Sequence, residues 1–301
     1  MKFAAIDIGS NAVRLLIADV VETKKDLSIR KLSLTRVPIR LGASVFEKGI
    51  ITDKKAKALA KTMKAFRYLI DVYQVKDFRA CATSAMREAE NSEEVIAMVR
   101  EYAGVDIEII NGHTEANLIF STFKSQKLDP KHTYLYIDVG GGSTEITLLK
   151  NEKRVSARSF KIGTVRVLSN RVKDKAWDDM RKWVEKITET EEEVTAIGTG
   201  GNINRLYKMS HLDYGELMSD TQLRSLHNQI KNMSFKQRVN KLRLRPDRAD
   251  VIVPAGEIYT TVLEVARIDK ISVPKIGLSD GIALYLYRKH MAEKSSKKTS
   301  V

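Results

Sequence analysis

The chain has 301 residues, 43% of them apolar and 30% charged, and a formal net charge of +14. The length suggests two domains, the composition excludes an intrinsically disordered chain, and no apolar run approaches the roughly 20 residues that span a bilayer. The charge favours polyanions as partners (nucleic acid, anionic lipid, nucleotides or polyphosphate), with a basic surface kept for solubility as the plainer alternative.

The opening KFAAIDI reads as a buried strand, Gly9-Ser10-Asn11 as a turn and VRLLIADV as a second strand. Asp7, Gly9, Ser10 and Asn11 interrupt this apolar stretch, so it does not read as a signal peptide. A third extended segment covers residues 27–41. Residues 53–74 form a helix, since Leu59, Met63, Phe66, Ile70 and Tyr73 recur every three or four positions behind a capping Thr52 or Asp53. FRACAT is a strand, SEEVIAMVREYA a helix, VDIEII a strand and HTEANLIFSTFKS a helix. Cys81, the only cysteine, reads as a small buried hydrophobe; with no disulfide available within the chain, the cytoplasm is the expected compartment. Strands alternating with helices imply an α/β domain with a parallel core.

The composition turns polar at KSQKLDPKH, residues 124–132, where a domain boundary is expected. The next segment, YIDVGGGSTEITLLK, repeats the opening: strand, glycine turn, strand. Asp138 falls 131 residues after Asp7, with Gly140 on Gly9. Two copies of an Asp-Φ-Gly hairpin imply two related domains, 1–124 and 125–301. The second continues with a strand at VSARSF, a helix over 174–188 and a strand-turn-helix at VTAIGTGGNINRL. Helices over 219–232 and 247–267, a strand at 270–274 and a helix over 278–292 come next, and AEKSSKKTSV reads as a disordered basic tail.

Three glycine turns come after strands, at Gly9-Ser10-Asn11, Gly140-Gly141-Gly142-Ser143 and Gly198 to Asn202. Glycine lets successive amides point into one concavity and bind phosphate oxygens, although any single turn of this kind is equally a plain tight turn. Asp7, Asp138 and Glu145 sit beside these amides. Acids among anion-binding groups make sense when a divalent cation, Mg²⁺ or Mn²⁺, bridges them; the alternative is that the aspartates only form turns. Glu115 falls in the first turn of a helix, either as a general base or as a favourable charge against the helix dipole.

With DIGSNAVRLLI, RLG at Arg40–Gly42, ATSAMREAEN, INGHTEA, DVGGGSTE, IGTVR, IGTGGNI and RADVIVPAG in order, the chain resembles the exopolyphosphatase / guanosine pentaphosphate phosphohydrolase family from residue 3 to about 290. The resemblance implies two related actin-like (ribonuclease H-like, α/β) domains facing a central cleft, the helix 278–292 packing back on the first. It implies hydrolytic release of terminal phosphate from polyphosphate or guanosine pentaphosphate. Glu115 would activate water, and Asp138 and Glu145, with Asp7, would serve the metal. The turns at Gly9–Asn11 and Gly140–Ser143, with Arg87, would hold phosphate; Arg87 is otherwise a surface helix cation. Arg166, Arg205, Lys241, Arg243, Arg245 and Arg248 are expected to line a groove for the polyanion.

Ala12, Thr114 and Ser279-Asp280 depart from the family pattern and put substrate preference in doubt more than reaction type. Long members carry further C-terminal domains, so shorter polyphosphates are expected to be handled at least as well as long ones. A non-catalytic sensor of the same ligands is the rival reading, against which the retained acids argue. Aromatic residues are only 7% of the chain and mostly at core spacing, so no specific nucleic-acid partner is expected, and without a bilayer-spanning apolar run no membrane is expected either. The sequence is silent on oligomeric state, a homodimer being one allowed assembly.

Overall fold

The computed structural model describes residues 1–22, 27–123 and 128–299. The chain begins with β1 (Lys2–Ile8), β2 (Val13–Glu22), β3 (Leu27–Val37), α1 (Leu41–Lys48), α2 (Asp53–Tyr73), β4 (Asp77–Ala82), α3 (Ser84–Glu88), α4 (Ser92–Ala103), β5 (Ile107–Ile109) and α5 (Gly112–Phe123). It continues with β6 (Thr133–Val139), β7 (Thr144–Lys150), β8 (Lys153–Phe160), α6 (Thr164–Leu168), α7 (Asp174–Thr188), β9 (Val194–Thr199), α8 (Gly201–Met209), β10 (Met218–Ser219) and α9 (Asp220–Lys231). It ends with α10 (Phe235–Asn240), α11 (Pro246–Ala249), α12 (Ile252–Val265), β11 (Lys270–Ser272) and α13 (Leu278–Thr299).

The chain divides into two compact units, Met1–Leu128 with Ile276–Val301, and Asp129–Lys275. The expected boundary segment begins at Lys124, and residues 124–127 lie outside the described residues. The second unit ends at Lys275 and not at the C-terminus, because α13 packs on α5, β1, β2 and β4 of the first unit.

Each unit is a mixed α/β unit, and the two share one topology. The first sheet has the order β3-β2-β1-β4-β5; the second runs β8-β7-β6-β9-β11, with the two-residue β10 added at its edge. In each, the first three strands form an antiparallel meander and the next two join in parallel. The correspondence extends to an irregularity. The β2–β3 register shifts between Ile17 and Ala18, and the β7–β8 register shifts between Leu148 and Leu149. Those positions are again 131 residues apart, so the repeat first seen in the hairpin turns carries through the meander. β1 is buried at every position from Phe3 to Ile8, as a central strand covered on both faces must be. The core of the second unit gathers Leu135, Ile137, Ile146, Leu148, Ile203, Ile258, Tyr259 and Ile271.

Several elements differ from the sequence expectation for local reasons. The extended segment ends at Val37, where Pro38 has no amide for the ladder, and Arg40 turns left-handed (φ 58°) into α1. The single helix expected over 247–267 is two. Pro254 would clash with the carbonyl of Asp250 in a continuous helix, so α12 starts afresh at Ile252 with the proline in its first turn. The helix expected to stop at 292 runs to Thr299. AEKSSKKT contains no helix breaker, and the hydroxyls of Ser295 and Ser296 bond back to the carbonyls of Met291 and Glu293.

Helix α13 binds the first sheet through mixed contacts. Phe3 meets the Tyr287 ring edge-on at 6.2 Å, Arg79 lies 4.5 Å from the Tyr285 ring centroid, and the Tyr287 hydroxyl donates to Glu22. Lys31 pairs at 2.9 Å with Asp280, whose carboxyl is held above the usual carboxylate range by burial, partly offset by Lys31. Closest approach to α5 occurs at Gly281, where an added Cβ would sit 2.1 Å from the Leu118 carbonyl oxygen. Gly281→Ala should therefore lower unfolding stability by about 1–3 kcal/mol in urea titrations. Gly277→Ala, four residues earlier with nothing within 4 Å of its Cβ position, should leave the midpoint unchanged. Cys81 is fully buried, and burial pushes its thiol up to about 12. It should react with a thiol reagent at neutral pH only as fast as the protein unfolds, measured against the same reaction in denaturant.

Candidate functional site

The two hairpin turns are built alike. The Gly9 amide donates to the Ala12 carbonyl at 3.2 Å, and the Gly140 amide donates to the Ser143 carbonyl at 2.9 Å. Those two amides close the turns and are not directed at a ligand. The amides of Ser10 in the first turn and of Gly141 and Gly142 in the second have no acceptor among the described residues. Open amides of this kind are suited to an anion. The Ser10 hydroxyl is also buried without a hydrogen-bond partner among the described residues.

The second turn is braced from behind. The amides of Thr164, Val165 and Arg166 donate to the carbonyls of Gly140 and Gly141, and the Arg166 Nε donates to the Gly142 carbonyl at 2.9 Å. Gly163 makes this approach feasible: a Cβ there would lie 2.4–2.5 Å from backbone atoms of Gly141 and Gly142. With its carbonyls facing α6, the turn's open amides are held in place. The first turn is held differently, by the amides of Arg40 and Gly42, which donate to the carbonyls of Asn11 and Ser10 at 3.0 and 2.8 Å.

Register then sets the acids. Asp7 lies across from Arg14, whose Nη1 meets its carboxylate at 2.7 Å, so this acid already has a fixed cation. Asp138 lies across from Glu145, 2% exposed, and each offers a carboxylate oxygen within 4.8 Å of the other. Hydroxyls orient both. Ser159 donates to Glu145 at 2.8 Å, and Thr199 donates to Asp138 at 2.9 Å. The Tyr136 hydroxyl, 2.5 Å from Thr199 Oγ1, supplies the proton that Thr199 Oγ1 accepts, and Tyr259 donates to the Thr199 carbonyl. Burial raises both tyrosines well above their ordinary range, so they remain neutral donors. Two hard carboxylates placed directly opposite each other repel unless a cation joins them, and a donor set of this kind suits Mg²⁺ or Mn²⁺.

In the first unit, Glu115 stands in the first turn of α5, 8% exposed. Arg87 on α3 donates to its Oε2 at 3.2 Å and to the Ile110 carbonyl at 2.6 Å. Arg87 is thus tied to the start of α5. Among the other basic residues singled out, Arg166 is buried against the glycine turn, and Arg205 is half-buried and donates to the Leu242 carbonyl. Lys241, Arg243 and Arg245 are exposed and Arg248 is half-buried.

The sequence reading did not single out Thr199, Tyr136, Ser159, Arg14 or Gly163. Arg14 was within reach, because the 131-residue repeat places it on Glu145. Thr199 needed the parallel β6–β9 register, which no local pattern reveals. The hydroxyl relay has a direct test. Thr199→Val leaves the buried Tyr136 hydroxyl without its acceptor and should lower stability by about 1–3 kcal/mol. Adding Tyr136→Phe should recover most of that loss, read from urea midpoints of the single and double variants.

Comparison with known proteins agrees with this architecture. Residues 20–290 match the model of the Ppx/GppA phosphatase family. The chain is 29% identical to the bifunctional 3-dehydroquinate synthase/phosphatase of Fusobacterium nucleatum, over 87% of this chain and 43% of that protein. It is 27% identical to Exopolyphosphatase 2 of Mycobacterium tuberculosis, over 95% of this chain and 98% of that protein. The chain therefore spans less than half the length of the first relative and nearly all of the second. The crystal structure of an exopolyphosphatase from Cytophaga hutchinsonii superposes with a TM-score of 0.82 at 25% identity, over 95% of this chain and 97% of that one.

Proposed function

The chain belongs to the Ppx/GppA phosphatase family, and from that premise we propose that it is a hydrolase releasing terminal orthophosphate from inorganic polyphosphate. The observation that carries the reading is the second hairpin, where the Asp138–Glu145 pair adjoins the braced, open amides of Gly141 and Gly142. Relatives named exopolyphosphatase support the substrate class.

In this reading the amides of Gly141 and Gly142 bind phosphate oxygens, and the open amide of Ser10 makes the first turn a phosphate-binding turn of the same kind. Arg166 and α6 hold the second turn rigid, so little reorganisation accompanies transfer. Asp138 and Glu145, oriented by Thr199 and Ser159, hold a divalent ion. When bound, that ion offsets the negative charge of the phosphate chain. Glu115 takes the proton of the attacking water, its carboxylate oriented by Arg87. Phosphoryl transfer through a loose in-line transition state asks the protein mainly for positioning and charge. Guanosine pentaphosphate offers the same terminal phosphate chemistry on a nucleoside carrier.

Phosphate release measured side by side on long polyphosphate, short oligophosphates and guanosine pentaphosphate tests the assignment. Release should occur from polyphosphate and be abolished by a chelator; binding with no release from any of the three would identify a sensor instead. Glu115→Gln keeps shape and the Arg87 bond but cannot take a proton, and should lower kcat by about 10²–10⁴-fold with KM nearly unchanged. Asp138→Asn should instead raise the metal concentration needed for half-maximal rate and lower turnover with it. Near wild-type release by Glu115→Gln at saturating metal and substrate would move the base to another carboxylate.

A further inference from the structure

Helix α2 carries more positive charge than its folding explains. It contains six bases (Lys54, Lys55, Lys57, Lys61, Lys64 and Arg67) and two acids. Three of the lysines lie within its first five residues, at the helix end where the dipole favours anions. Lys54, Lys57, Lys61 and Lys64 take the 3-4-3 spacing that sets side chains above one another on one face, where like charges oppose helix formation. Lys54, Lys57 and Lys61 are exposed; Lys64 is half-buried, 5.6 Å from the Tyr68 ring centroid. None of the four has a carboxylate partner among the described residues, the helix's only ion pair there being Arg67–Asp71. A surface helix kept basic for solubility would not need this arrangement. Helix α7, of similar exposure, balances four acids with four bases.

The N-terminal end of α2 is also anchored beside the first glycine turn. Lys55, in the first turn of α2, donates through Nζ to the Arg40 carbonyl, and the Arg40 amide donates to the Asn11 carbonyl at 3.0 Å. The N-terminal end of the helix is thus tied through one residue to the first glycine turn. Burial and the nearby Arg40 charge lower the Lys55 pKa, consistent with crowded cations at this end. From Lys54 to Lys64 the face runs about 15 Å along the helix, at the rise of an α-helix.

The geometry points to the Lys54–Lys57–Lys61–Lys64 face of α2 as a docking track for the distal part of an inorganic polyphosphate chain whose end lies at the Ser10–Asn11 turn. A row of cations one or two turns apart fits a linear polyanion with charge on every repeat. It lacks the interleaved aromatic platforms that hold single-stranded nucleic acid, since Tyr68 stands alone at the far end under Lys64. The track rests on the polyphosphate reading for its ligand but takes no part in the chemical step.

The test compares two fourfold variants that lose the same charge. One carries Lys54→Gln, Lys57→Gln, Lys61→Gln and Lys64→Gln. The other carries Lys175→Gln, Lys182→Gln, Lys186→Gln and Lys231→Gln, all exposed in the second unit. Glutamine keeps helix propensity, and circular dichroism with thermal melts establishes that both fold. Binding of end-labelled long-chain polyphosphate is followed by fluorescence anisotropy across a salt series, and turnover is measured on long-chain polyphosphate and on tripolyphosphate. The α2 variant should bind the long chain at least 10-fold more weakly at low salt. Its log K against log salt slope should be shallower by about 3, the value for four lost phosphate contacts at about 0.7 each. Its kcat, and its KM for tripolyphosphate, should stay at the wild-type values, because three phosphates do not extend along the helix. The control variant should lose less than half as much affinity. Equal losses in the two variants, no loss in the α2 variant, or competition by single-stranded RNA as effective as by polyphosphate would each overturn the proposal. Binding and hydrolysis are read separately. A wild-type protein that binds the long chain through α2 but releases no phosphate would sink the hydrolase reading and leave the track standing.

Discussion

The geometry of both hairpins depends on a single backbone hydrogen bond at each tip. The Gly9 and Gly140 amides close their turns onto the carbonyls of Ala12 and Ser143, and that closure fixes the register of the strands on either side. Once the register is fixed, Asp7 must face Arg14 and Asp138 must face Glu145. A slip of one residue would send each of these side chains to the opposite face of its sheet. The same closure leaves the middle residues of each turn with amides that the ladder does not use. Chemistry and fold therefore depend on the same few atoms, and the support behind them is backbone-to-backbone: Arg40 and Gly42 for the first turn, residues 163–166 for the second.

The two units have kept this frame and reversed its charge. In the first, the cross-strand partner of the aspartate is a guanidinium at 2.7 Å, and the parallel neighbour is Cys81, a thiol that burial keeps protonated. In the second, the partner is a second carboxylate, and the parallel neighbour is Thr199, a hydroxyl donor. One half sets a cation across from its aspartate and the other sets an acid there. The duplicated hairpin thus provides two turns with open amides but, among the described residues, one cross-strand acid pair.

Much of this was legible because it rests on strongly periodic or repeated sequence. The apolar spacing of residues 59–73, the alternation of strands and helices, and the spacing of the Asp-Φ-Gly hairpins each derive from geometry that side-chain order records directly. What escaped were consequences of register and of local breaks. Thr199 meets Asp138 only because β9 lies parallel to β6, a pairing between residues 61 apart. The division between α11 and α12 depended on projecting Pro254 four residues back onto Asp250. Short helices such as α1, α3 and α6 have too few turns to show a period at all, yet α6 is the element that grips the second turn.

Arg166 shows how a cation read from the sequence can be committed within the fold. Its guanidinium was expected in a groove for a polyanion, but it is 8% exposed and its Nε is committed to the Gly142 carbonyl. A buried guanidinium bonded to a backbone carbonyl adds positive potential behind the glycine turn without exposing a flexible side chain to the ligand. Arg87 obeys the same logic, with the Ile110 carbonyl and Glu115 holding it at the start of α5. Both arginines serve by holding a neighbouring group in place. The lysines of α2 differ in kind: with ammonium groups on flexible stems and no carboxylate partner, they remain available to a ligand that needs charge and little fixed geometry. The two kinds of cation thus divide by chemistry: planar guanidinium groups fixed by hydrogen bonds inside each unit, and ammonium groups on flexible stems along the exposed face of α2.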